Sequence, residues 1–170
     1  AKSIESLNPK QIYIGGHSLG AMLAPRIASR SGGLAGIVML AGNARPLEDL
    51  LVEQAAYVSS LQGELPEGID AVEKVRQLTA NIKALGTDAF DESIGLPLNT
   101  PRAYWEFSNA YKQVEVAKRL TLPVLILQGE RDYQVTMDDF ELLRSGLSGK
   151  ANVSFKSYTA LKHLRSLIHM

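Results

Sequence analysis

The chain has 170 residues, 45% apolar and 21% charged, with 18 acidic and 18 basic side chains in balance. That is chain enough for one domain with an ordinary core, and the even charge gives no pull toward nucleic acid or an anionic membrane. There is no cysteine, which excludes disulfides and thiolate metal sites, and the longest apolar run, residues 34–41, is far too short to span a bilayer.

Residues 1–7 read as the end of a helix stopped at Asn8-Pro9. A first strand is expected over Gln11–Gly15. Directly after it comes Gly16-His17-Ser18-Leu19-Gly20, and then a run of small and apolar residues. Strand, tight turn and helix in that order, with a serine between glycines, is the setting of a nucleophile elbow. So sharp a bend needs flanking residues nearly free of side chain. The helix should run over Leu19–Arg30. Leu19, Met22, Leu23 and Ile27 share one face, while Ala21, Ala24 and Ala28 keep the other sides slim. Pro25 should bend it, and Ser31-Gly32-Gly33 should end it.

A second strand, Gly36–Ala41, and a third, Pro123–Leu127, are apolar at nearly every position. Continuous apolar runs predict a parallel sheet with helices over both faces. A fourth strand, Asn152–Ser157, alternates apolar and polar residues and reads as an edge with one wet face. Between strands three and four, Thr136 and Asp139 have the spacing of a capping box. They would open a helix whose inner face is Met137, Phe140, Leu143 and Leu147. The stretch from Asn43 to Thr121 is much longer than a crossover needs. Apolar residues recur at helical spacing over residues 47–61 and 72–85. A polar segment (Asp88–Pro101) follows, then Tyr104, Trp105 and Phe107, then a helix expected over Asn109–Arg119. We read most of this stretch as a helical lid.

In a parallel α/β sheet the ligand site lies beyond the carboxyl ends of the strands. Three reactive side chains fall there: Ser18 after strand one, Asp132 after strand three and His163 after strand four. A serine hydroxyl is a poor nucleophile at neutral pH, so an imidazole must take its proton and a carboxylate must fix that imidazole's tautomer. Each has a plainer reading: a glycine-rich turn, a solvated loop acid, a surface histidine. Glu130 rivals Asp132, and His169 rivals His163. Asp138 and Asp139 fit first-turn helix acids. His17 fits a packing residue beside the elbow that does not titrate in catalysis, with a catalytic role as its other reading. Tyr104 and Trp105 fit either packing or a substrate wall. Asp88, Asp91 and Glu92 fit a solvated turn better than a metal site.

The stretches IYIGGHSLGAMLAPRIA, GIVMLAGNARPLEDL, LPVLILQGERDYQV and NVSFKSYTALKHL together resemble the C-terminal half of an α/β-hydrolase. The likeness is to the bacterial serine esterase-like group, with a helical insertion before the acid-bearing strand. The resemblance implies four parallel strands flanked by helices, with residues 1–45 and 118–170 as core and 46–117 as lid. It implies Ser18 as nucleophile, Asp132 as orienting acid, His163 as general base and the Leu19 N–H as an oxyanion donor. His17, Tyr104 and Trp105 would line the substrate site. The substrate implied is a small acyl ester, with no cofactor or metal, no nucleic acid and no membrane span. A thioesterase, an acyltransferase or a non-catalytic module on the same fold are the alternatives.

Two departures stand out. Thr159 and Ala160 occupy positions where the family usually has proline and glycine. The family's strands before the elbow, with the loop that gives a second oxyanion donor, are not in this sequence. We therefore expect a piece of a longer protein, a truncated product or one half of an assembly. Its first strand would expose an edge open to self-association. No signal-peptide pattern follows Ala1, so the compartment stays open with the cytoplasm favoured.

Overall fold

The computed structural model describes residues 8, 10–62 and 70–163. The helix expected over residues 1–7 and the rival histidine His169 lie outside them. Four strands, β1 (Tyr13–His17), β2 (Gly36–Leu40), β3 (Val124–Gly129) and β4 (Val153–Tyr158), form one sheet in chain order with every pair parallel. The chain divides into two compact units, Ala1–Ala44 with Lys112–Met170, and Arg45–Tyr111.

In the first unit the sheet is joined by α1 (Leu19–Arg30), α5 (Gln113–Lys118) and α6 (Met137–Gly146). One core gathers Ile37 and Met39 from β2, Val124 and Ile126 from β3, and Phe140, Leu143 and Leu147 from α6 and its C-terminal end. Burying each of the larger ones contributes about 1.5–3 kcal/mol. The opposite face of the two central strands is not covered to the same degree among the described residues. Val38, Leu40 and Leu127 are half-buried and Leu125 is 36% exposed. The apolar runs predicted two covered faces; the described residues cover one.

Strand one starts two residues later than expected and runs through His17, so the elbow leaves the sheet at the serine itself. Helix α1 spans its expected range and continues through Pro25. Ala21, Ala24 and Ala28 form the core side and Met22 is buried with them, while Leu19 and Ile27 are exposed. A helix that leaves a strand through so tight a turn returns close against the sheet, where only small side chains fit. A methyl group on Gly42 would already lie 3.0 Å from the Ala21 Cβ.

The second unit holds α2 (Leu47–Gln62), α3 (Ala71–Lys83), a 3-10 turn (Pro97–Asn99) and α4 (Arg102–Ala110). The Asp70 side chain caps α3 by accepting from the Glu73 N–H at 2.9 Å. The buried Asn81 amide ties the polar segment to α3. Its Nδ2 donates to the carbonyls of Asp91 and Gly95, and its Oδ1 accepts the Asp91 N–H. Asp91 in turn accepts the N–H and hydroxyl of Ser93, which holds its carboxyl below the usual range. It closes a turn there. Tyr104, Trp105 and Phe107 stand on α4. The helix expected over Asn109–Arg119 is two helices, because Tyr111 and Lys112 are extended. No glycine or proline marks that break.

Candidate active site

The elbow follows from sterics. Ser18 has φ 55° and ψ −120°, a left-handed conformation that few non-glycine residues adopt and that is stored only where the surroundings enforce it. Its N–H donates to the Leu40 carbonyl at 2.9 Å, and its carbonyl accepts the Met22 N–H at 3.0 Å. A methyl group on Gly16 would sit 2.2 Å from the Gly20 carbonyl oxygen, so this glycine is obligatory. Gly20 has open space where a side chain would go. Leu19 is the first residue of α1; at that end the N–H groups have no helical carbonyl to bond.

Asp132 follows β3 and is almost fully buried. Its Oδ1 accepts the N–H groups of Gln134 and Val135 at 2.8 and 3.1 Å, which leaves Oδ2 for His163 Nδ1 at 2.6 Å. The turn is braced from below by Gln128, whose Nε2 donates to the carbonyls of Val135 and Gly129. The imidazole of His163 is 1% exposed. The loop that carries it crosses β3 at Gly129, where a methyl group would lie 2.5 Å from the Leu161 carbonyl oxygen. Three backbone bonds fasten it: Glu130 N–H to Tyr158 O, Leu161 N–H to Tyr158 O and Arg131 N–H to Leu161 O. Thr159 and Ala160 form the turn in place of proline and glycine, and His163 still reaches the carboxylate. Glu130, the rival acid, is exposed and accepts instead from the Ser157 hydroxyl.

Ser18 is linked to this pair through its neighbour in the chain. The ring of His17 lies 4.3 Å from that of His163, tilted by 48°. His17, Leu40, Leu127, Asp132, Tyr158 and Lys162 are among the residues that line a cavity of about 220 Å³. Burial above all, then the adjacent His163, pushes the His17 pKa down, against an opposing pull from Asp132. In the other unit, Trp105 is fully buried with its ring edge-on to Tyr104 at 5.1 Å. Burial raises the Tyr104 hydroxyl pKa. Among the described residues no cluster of three or more His, Cys, Asp or Glu side chains could hold a metal ion.

Sequence reasoning missed the support beneath the loop after β2. The buried Asp139 is more than a first-turn acid. Its carboxylate accepts the Ala44 N–H at 2.8 Å. Gln113 Nε2 donates to the Asn43 carbonyl at 3.0 Å. The one available signal was that Asp139 falls on the inner side of α6, next to Phe140.

A family model described as Hydrolase_4, serine aminopeptidase S33, matches residues 2–165. The chain belongs to this α/β-hydrolase family. The curated esterase EstD of Thermotoga maritima is 38% identical to it over 162 residues, which are 94% of this chain and 36% of that protein. The Pyrococcus furiosus esterase Pf2001 superposes with a TM-score of 0.57 at 18% identity, over 93% of this chain and 47% of that one. A Pyrococcus horikoshii acylaminoacyl peptidase gives a TM-score of 0.53 at 13% identity, over 95% and 21%. Both structures show the α/β-hydrolase fold. The chain thus spans about a third of the curated relative and about half of the furiosus esterase.

Proposed function

We propose that this α/β-hydrolase chain carries the catalytic triad of a serine esterase acting on carboxylic esters. The observation that carries the reading is the buried Asp132–His163 pair at 2.6 Å, in ring contact with the residue next to a strained elbow serine. The similarity to EstD favours an ester over an amide. Ser18 Oγ attacks the acyl carbonyl while His163 takes its proton, and Asp132 steadies the imidazolium that forms. The Leu19 N–H donates to the oxyanion; one such donor is worth about 10²–10³ in turnover. Collapse of the intermediate expels the alcohol, which receives the proton back from His163. Water, activated by the same imidazole, then frees the acid. No cofactor or metal takes part.

The helical unit Arg45–Tyr111 would be the lid. That role rests on its place in the chain, between β2 and β3. A fluorophosphonate probe tests the reading: it should label the protein at Ser18 and leave Ser18→Ala unlabelled. Equal labelling of the two would end it, and would favour the non-catalytic module.

A further inference from the structure

We propose that His17 is a positioning residue for the general base, its uncharged ring forming one wall of the slot that holds His163 against Asp132. The proposal builds on the triad reading above. An imidazole pinned at one nitrogen can still swing about that bond, so its outer nitrogen is fixed only if something flanks the ring. His17 supplies that flank at 4.3 Å, and no hydrogen bond joins the two rings. It is also rigidly placed. As the last residue of β1 it lies in register with Leu40, and the next N–H, that of Ser18, bonds the Leu40 carbonyl. Nucleophile and wall therefore ride on one strand end.

The charge state follows from the surroundings. His17 Nε2 is buried with no hydrogen-bond partner among the described residues. A protonated ring would bury an N–H there with no acceptor, at a cost a neutral ring avoids. The ionisable groups around it are His163 and Asp132, with Tyr158 and Lys162 across the cavity. Asp132 is already engaged by His163, and a charge on His17 would oppose the imidazolium that the reaction needs. The downward push on the His17 pKa, from burial first and His163 second, has the same sense.

The experiment combines two readouts on the parent protein, His17→Phe, His17→Ala and His17→Lys, with thermal unfolding to confirm that each folds. Imidazole ¹³C and ¹⁵N shifts should show the His17 midpoint below 6.5. His17→Lys should slow fluorophosphonate labelling more than His17→Ala does, since a fixed like charge disfavours the imidazolium. Fluorophosphonate labelling should slow about tenfold or more in His17→Ala, through loss of orientation, and recover in His17→Phe, which restores a flat wall without ionisation. A His17 midpoint at or above 6.5, unchanged labelling in His17→Ala, or equal slowing in His17→Phe would each overturn the proposal. If the parent protein takes no label at all, the nucleophile reading fails, and the His17 midpoint still decides this one.

Discussion

A methyl group on Gly129 would meet backbone, the Leu161 carbonyl oxygen at 2.5 Å and its carbon at 2.8 Å, and neither can rotate away. In Gly129→Ala the strand or the crossing loop has to move, and that loop ends on His163. We expect labelling of Ser18 to fall about a hundredfold, the scale of an ångström's misplacement, with the fold retained by circular dichroism. Labelling within twofold of the parent would show that the loop can give. Asp132→Asn probes the same junction without moving it. The amide keeps the shape and fixes the wrong tautomer, so turnover should drop by about 10³–10⁴ while the melting temperature falls little. His17 has a separate thermodynamic signature. Its pKa is lowered from 6.5 on folding, so below that pH the unfolded chain binds more protons than the folded one. Its contribution to stability is therefore present above 6.5 and lost as pH falls from there to the depressed folded pKa. The difference in unfolding free energy between the parent and His17→Phe should shrink along that interval, and denaturant titrations at several pH values would read it. A difference independent of pH would mean that His17 is not depressed. That Ser18, Asp132 and His163 each follow a strand was legible at this scale from the apolar or alternating run before each. Asn43, Gln113 and Asp139 were not, since their contacts join residues 70 and 95 positions apart.

At the scale of elements, the elbow shows what a pattern can and cannot say. Both glycines of Gly16-x-Ser18-x-Gly20 match the motif, yet only Gly16 faces a steric wall. Gly16→Ala should disrupt the strand-to-helix turn and cost folding outright, because the clash is with backbone at 2.2 Å. Gly20→Ala should leave stability unchanged or raise it by up to about 1 kcal/mol, the helix-propensity gain for replacing glycine. Urea unfolding of the pair decides the matter, and equal loss in both would mean that α1 lies closer at Gly20 than described. Strand and helix order were readable from the apolar runs and the turn residues. The facing of α1 was not. A hydrophobic stripe assigns leucine inward, and here the closeness of helix and sheet selects alanine instead. The break at Tyr111–Lys112 escaped for a related reason: helical periodicity carries on across it, and the extended backbone there has no local residue type to announce it.

At the scale of the whole molecule, the described residues leave a sheet with one finished face. Among the described residues β1 pairs only with β2, so its outer edge is unpaired. Tyr13 on that edge is 59% exposed. The strand Tyr13-Ile14-Gly15-Gly16-His17 carries no lysine, proline or acid to blunt it, and such edges template pairing with other strands. Two strands in from that edge, Leu125 adds an exposed apolar side chain on a central strand. We expect the chain on its own to bind a hydrophobic dye and to self-associate as its concentration rises. The double substitution Tyr13→Lys with Leu125→Lys places charges on an exposed edge and an exposed face, away from the core residues Ile14, Val124 and Ile126. It should shift the sedimentation profile toward monomer and lower dye binding, while the Asp132–His163 pair keeps its imidazole shifts. A parent chain that sediments as monomer at every concentration would show the edge to be harmless. Association that persists unchanged in the double variant would place the sticky surface elsewhere.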